Sequence, residues 1–168
     1  QEVEKKIPHL PPGIVKHFIG HLQTNKVKRV VELFDMIQSV DSLKLAHKID
    51  QECEKINKVM PVLIEVNTSD EAQKSGVVPQ AVLTLVREIS ELPHLKVQGL
   101  MTIAVQSKDV EKVRACFRLL KKLFDEIAQQ KISGVTMQWL SMGMSDDYKI
   151  AIEEGANMVR LGRILFMD

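Results

Sequence analysis

Short apolar runs alternate with amphipathic stretches along nearly the whole chain, and this alternation limits the fold more than any other feature. The runs fall at 15–20, 36–40, 61–67, 97–103, 135–140 and 158–161. Most are continuously apolar instead of alternating, the pattern of strands covered on both faces. Between them apolar residues recur at helical spacing: Val27, Val30, Val31 and Phe34; Leu43, Ala46, Ile49, Cys53 and Ile56; Val82, Leu85, Val86 and Ile89; Val113, Phe117, Leu120, Leu123, Phe124 and Ile127. Thr24 or Asn25, Asp41 or Ser42, and Asp109 stand where these helices need N-caps. Residues 1–6 read as a helical turn, and Pro8, Pro11, Pro12 and Gly13 as a loop.

Strand, helix, strand, helix implies an α/β fold with a parallel sheet. Two architectures remain open: a doubly wound open sheet, and a (β/α)8 TIM-type barrel. A barrel usually takes ~250 residues and seldom fewer than ~200. The 168 residues fit an open sheet as they stand, or a barrel lacking one or two β/α units.

One domain, 1–168, is expected at this length. Charged residues make up 27% of the chain, are mixed in sign and sum to +1, so no basic face suggests a nucleic-acid partner. Lys26, Lys28 and Arg29 form the densest basic cluster, which reads as a solvated helix face. Two separated cysteines, Cys53 and Cys116, fit a reduced intracellular setting. No apolar run is long enough to cross a membrane, and no signal peptide opens the chain. The chain has no initiator methionine and starts as if within a helix, so it is expected to be a fragment.

Chemistry is concentrated at 139–162. The strand ending near Leu140 gives way to Ser141, Gly143 and Ser145. Ser145 is an expected helix N-cap, with Asp146 and Asp147 in the first turn, and Gly155 suits the helix stop. A second strand carries Arg160 and ends at Gly162. Two neighbouring strands thus end in loops with free backbone N–H groups, two hydroxyls and an arginine, which suits an anion and above all a phosphate. Each residue also has a plainer reading. Arg160 suits a core ion pair as well as a ligand contact, and the serines suit a turn and a cap. Gln23-Thr24-Asn25-Lys26 and Lys74-Ser75-Gly76 also follow strands.

Other motifs are absent. No Gly-x-Gly-x-x-Gly or Gly-x-x-x-x-Gly-Lys-Ser/Thr occurs, and the segment around Ser145 lacks a nucleophile elbow's second glycine. His17 and His21 lie roughly 13 Å apart along a strand, too far for one metal ion. His47 and His94 read as surface residues, and no metal is expected.

Five ordered motifs then carry a specific resemblance: His17-Phe18-Ile19-Gly20-His21-Leu22-Gln23-Thr24-Asn25-Lys26; Val66-Asn67 with Lys74-Ser75-Gly76; Gly99-Leu100-Met101-Thr102-Ile103; Leu140-Ser141-Met142-Gly143-Met144-Ser145; and Val159-Arg160-Leu161-Gly162. Over essentially its whole length the chain resembles the pyridoxal phosphate homeostasis proteins, single-domain relatives of the alanine racemase N-terminal barrel (fold type III). The resemblance implies a (β/α)8 barrel with its first one or two units outside this chain. It implies pyridoxal 5'-phosphate (PLP) as cofactor, carried or buffered without catalytic turnover, and a cytoplasmic, monomeric protein with PLP-dependent apoenzymes as partners. By motif, Ser141 or Ser145 would bind the phosphate with the backbone at Gly162 and Arg163, and Arg160 would face the pyridine nitrogen. The family's aldehyde-binding lysine belongs to a segment expected upstream of Gln1, so no catalytic residue is assigned here. A small hydroxyl residue usually stands where this chain has Arg163. A fold type III racemase or decarboxylase and a scaffold without cofactor are the alternatives.

Overall fold

A computed structural model describes Ile7, residues 10–69, Glu71 and residues 73–165. The helical turn expected over 1–6, Pro8, and Asp70 and Ala72 of the 68–76 loop lie outside the described residues.

Six strands form one parallel sheet in sequence order: β1 (His17–Phe18), β2 (Met36–Val40), β3 (Met60–Glu65), β4 (Leu95–Met101), β5 (Val135–Met144) and β6 (Met158–Arg160). The helices between them are α1 (Val27–Leu33), α2 (Leu43–Glu54), α3 (Val82–Ser90), α4 (Val110–Gln129) and α5 (Tyr148–Glu153). Sequential order without reversal is the order of a barrel wall, and a doubly wound sheet would reverse partway. The structure therefore favours the second expected architecture, as a six-stranded, barrel-type parallel sheet.

The sheet has two chemically distinct faces. Val62, Ile64, Val97, Leu100, Leu140 and Met142 belong to the large core shared with the helices, where Ile49, Val86, Ile89, Phe117 and Leu120 are fully buried. On the opposite face Met36, Leu63 and Met101 form a small separate cluster, with Trp139 packed on it. Both faces of the strands are thus covered, which is why their sequences are not simply amphipathic.

The inner face is concave. Ser141 on β5 donates to Gln38 Oε1 on β2 at 2.6 Å, although two strands separate them. In a flat sheet three strand spacings would put them ~14 Å apart. Register shifts interrupt the pairings β2–β3, β3–β4, β4–β5 and β5–β6, and such irregularities bend and twist a sheet. Gly99 sits at one of them with φ +148°, and a Cβ there would lie 1.9 Å from the Trp139 carbonyl oxygen. Only glycine allows β4 and β5 to approach so closely.

Several local expectations are corrected. The first strand is only His17–Phe18, and residues 24–26 form a 3-10 turn with no side-chain cap. Ser42 caps α2 and Asp109 caps α4, but α2 ends at Glu54, leaving Ile56 exposed. β5 runs on to Met144, so Ser141 is a strand residue and not a loop residue. Ser145 is not a cap, because α5 starts three residues later after Asp147. Gly155, with φ +96°, ends α5 through Gly155 N–H to Ile152 O (3.0 Å) and Ala156 N–H to Ala151 O (2.9 Å), the Schellman pattern. His94 is only partly exposed, and its backbone N–H donates to Asp50 Oδ1 at 2.8 Å. Its ring Nδ1 is buried and lies 3.4 Å from the same carboxylate oxygen, without a well-formed hydrogen bond.

At the C-terminal end of β3 the sheet buries a carboxyl group, Glu65, which is 4% exposed. Burial pushes its pKa above the ordinary 4.5, against the lowering effect of the Ser75 hydroxyl, which donates to it at 2.7 Å. The fold thus favours the neutral acid. That contribution is fully present below the ordinary pKa and is lost as pH rises through the raised one.

Three substitutions test this packing. Gly99→Ala should cost about 3 kcal/mol or more, from backbone strain plus separation of β4 and β5. Gly20→Ala, where the nearest atom to an added Cβ is 3.9 Å away, should stay within about 1 kcal/mol of the parent. Urea midpoints at constant slope measure both. Glu65→Gln keeps an acceptor for Ser75 but cannot ionise. Its stability relative to the parent should therefore be lowest near pH 4.5 and rise towards pH 8. Thermal unfolding across that range would contradict this assignment if the two curves stayed parallel.

Candidate functional site

All six strands point the same way, so their C-terminal ends gather on one rim, where the loops of such folds carry chemistry. β5 and β6 are neighbours there, with Ser141 opposite Met158 and Met144 opposite Arg160. The two loop tips read from the sequence therefore do share one end of the sheet.

Arg160 projects onto the concave face. Its Nη1 donates to Ser141 Oγ at 2.8 Å and its Nη2 to the Thr102 carbonyl at 2.8 Å. Among the described residues it makes no ion pair, so the core ion pair considered from the sequence is not what holds it. Burial lowers its pKa, opposed by the more distant charges of Asp147 and Glu65, but a guanidinium stays cationic. Thr102 is itself fixed: its hydroxyl donates to the Val66 carbonyl at 2.7 Å and lies 2.9 Å from the Thr68 hydroxyl. The side chain thus ties together the ends of β4, β5 and β6.

Ser141 and Ser145 have different surroundings. Ser141 is fully buried, accepting from Arg160 and donating to Gln38. Ser145 lies in the turn after β5, where its Oγ accepts from Gly162 N–H and Ile164 N–H, both at 3.4 Å. Two main-chain donors therefore aim at one oxygen, each through a long bond. A charged phosphate oxygen normally takes such donors at ~2.7–2.9 Å. A Cβ at Gly162 would meet nothing within 4 Å, so no neighbouring protein atom demands a glycine there.

The turn carrying Ser145 is pinned from three sides. Met144 N–H donates to Asp147 Oδ1 at 2.6 Å. Gly143, with φ +94°, lets α5 sit on the strand end, since a Cβ there would lie 2.6 Å from Ala151 Cβ. Arg114 of α4 holds the far end of α5 through Glu153 (2.7 Å) and Glu154 (2.6 Å). The side chain of Arg163 turns away to Asp146, at 2.5 Å. Its charge is engaged there, and the N–H that joins Gly162 at Ser145 belongs to Ile164.

Arg160 and Gly162 line an open groove of about 460 Å³ with His17, Gln38, Met158 and others. The other polar loops noted in the sequence lie elsewhere or brace the fold. Residues Thr24 and Asn25 line a separate groove with Lys44, His47, Lys48 and Gln51. Lys74 pairs with Glu71 and donates to the Ala104 carbonyl, while Ser75 holds Glu65. The sequence reading passes over Gln38 and Thr102. Gln38 had the same signal as Arg160, a polar side chain interrupting an apolar strand; Thr102 fell within the Gly99–Ile103 motif, where a threonine is ordinary in a strand and drew no role.

Comparison with known proteins accords with this geometry. Residues 10–168 match the alanine racemase N-terminal domain family. A pyridoxal phosphate homeostasis protein of Aquifex aeolicus is 47% identical over 150 residues, 89% of this chain and 65% of that protein. The chain thus spans about two thirds of that relative's length. Two structures of PipY from Synechococcus elongatus superpose closely. The one without PLP gives a TM-score of 0.92 at 32% identity, covering 99% of this chain and 78% of PipY. The one with PLP bound gives 0.86 at 30% identity, covering 98% and 75%. With its six parallel strands in order and a match from residue 10 onward, the chain belongs to the alanine racemase N-terminal domain family and groups there with the pyridoxal phosphate homeostasis proteins.

Proposed function

We propose that this chain is the cofactor-holding part of a PLP homeostasis protein, one that carries or buffers PLP instead of turning over a substrate. The observation that carries the reading is the convergence of Gly162 N–H and Ile164 N–H on the Ser145 hydroxyl, at the end of β5 where Arg160 of β6 stands opposite Met144. Those donors suit a phosphate dianion, and the groove beside them has room for an aromatic ring. The PLP-bound structure of a relative supports the same choice of ligand.

Bound here, PLP supplies a reactive aldehyde and an electron-accepting ring. The protein's part is to hold and tune it. Ser145 and the N–H groups of Gly162 and Ile164 would hold the phosphate, and Ser141, buried behind Arg160, orients the guanidinium. Arg160 would face the ring nitrogen, where a permanent cation would disfavour protonation. An unprotonated ring is a weak electron sink, so the site suits storage better than carbanion chemistry.

The reading extends to architecture. The curled six-stranded sheet is taken as six strands of a (β/α)8 barrel, with the aldehyde-binding lysine on a strand outside these six. Physiologically it implies a cytoplasmic monomer that hands PLP to PLP-dependent apoenzymes.

Trp139, the sole tryptophan, sits on the inner face and serves as a reporter. PLP should quench its fluorescence, and Arg160→Ala and Ser145→Ala should each weaken binding about tenfold or more, as expected for loss of hydrogen bonds involving charge. Full affinity in both variants would point to a scaffold instead. Borohydride reduction of this chain with PLP should leave no covalent adduct by intact mass. An adduct mapped to one of its lysines would place the aldehyde anchor within these six strands.

A further inference from the structure

A line of hydrogen bonds leads from Arg160 across the concave face to His17 on β1. Arg160 Nη1 donates to Ser141 Oγ at 2.8 Å, so the serine's own hydrogen is left for Gln38 Oε1, 2.6 Å away. That fixes the amide of Gln38, which is 2% exposed, with its NH2 towards β1 and β6. One N–H meets Met158 Sδ at 3.1 Å and the other meets His17 Nδ1 at 2.9 Å. With the amide turned that way, the line of donors that starts at Arg160 calls for a lone pair at its far end. His17 Nδ1 must accept, and the ring's single hydrogen must sit on Nε2.

Protonating Nδ1 would set two donors against each other. Burial also lowers the His17 pKa, with Asp35 acting in the opposite sense. Asp35 is itself engaged by Lys16 at 3.0 Å. His17 Nε2 has no partner among the described residues, yet the residue lines the same groove as Arg160 and Gly162. A neutral imidazole with a fixed tautomer and an unused donor, facing a ligand groove, is built to contact an acceptor.

We propose that His17 is a further cofactor-contacting residue, whose Nε2–H donates to an oxygen on the ring portion of the ligand, and that Gln38 is the positioning residue that sets its tautomer. The proposal rests on PLP occupying the groove. It makes the site selective on two fronts: the phosphate at Ser145 and Gly162, and a ring oxygen acceptor at His17.

The test uses PLP and inorganic phosphate as probes, read by Trp139 fluorescence and competition. Gln places its amide nitrogen near the position of imidazole Nε2, whereas Asn mimics Nδ1. His17→Gln should therefore bind PLP within about threefold of the parent, and His17→Asn and His17→Phe about tenfold more weakly. Phosphate affinity should be unchanged in all three, because the anion site does not involve β1. Nitrogen-resolved NMR should show His17 as the Nε2–H tautomer, and Gln38→Glu, which offers Nδ1 a carboxylate, should raise the His17 pKa. Equal PLP affinity across the three variants, or an Nδ1–H tautomer in the parent, overturns the proposal. Parallel loss of phosphate binding would also overturn it, since His17 would then be supporting the fold of the rim. If the parent binds neither probe, the PLP reading itself has failed; the tautomer and the Gln38→Glu shift then still report on the hydrogen-bond line alone.

Discussion

A guanidinium set on the concave face of a parallel sheet, with no ion-pair partner among the described residues, governs the arrangement of everything around it. Arg160 is held by a serine hydroxyl and a main-chain carbonyl, so its charge is solvated but not neutralised. Burying a cation in that way is unfavourable unless further negative charge lies in reach. Glu65 and Asp147 contribute only at a distance, and burial favours the neutral form of Glu65. The rim therefore keeps an uncompensated positive charge at the end of the sheet that also carries the Ser145 turn.

That arrangement needs the sheet to curl. Ser141 and Gln38 meet only because β2 and β5 face each other across the hollow. The curl in turn needs irregular pairing, and Gly99 lets β4 and β5 close up where a side chain would collide with Trp139. On the outside, α4 and α5 are joined by Arg114 to Glu153 and Glu154, which keeps the short α5 seated on the end of β5. Stability and site geometry thus share parts: a change that flattened the sheet would unpick the Arg160–Ser141–Gln38 line before it exposed much of the outer core.

The two serines show how far local reasoning reaches. Both follow an apolar run, one read as a turn residue and the other as a helix cap, and the sequence leaves either as the phosphate ligand. In the structure β5 continues past the point where its apolar pattern stops, because the inner face of a curled sheet can pair polar groups with one another. Ser141 is consequently swallowed by the strand and orients Arg160, while Ser145 stays at the turn with two main-chain donors on it. The pattern rule that ends a strand at its first polar residue assumes an apolar interior, and this inner face is polar. His94 fails for a similar reason: an isolated histidine between helix and strand reads as surface, but Asp50 on α2 reaches over to cap its backbone.

From the sequence alone came the parallel α/β class, the positions of all six strands to within a few residues, the caps at Ser42 and Asp109, the stop at Gly155, and the pairing of Arg160 with the serine-bearing turn at one end of the sheet. These are matters of period, turn chemistry and chain order, which short windows record. Tertiary structure alone decided the sheet's order and curl, the division of labour between Ser141 and Ser145, the turning of Arg163 onto Asp146, and the line from Arg160 to His17. Each of these depends on residues 17 to 143 positions apart meeting across a hollow, and no local window contains both partners.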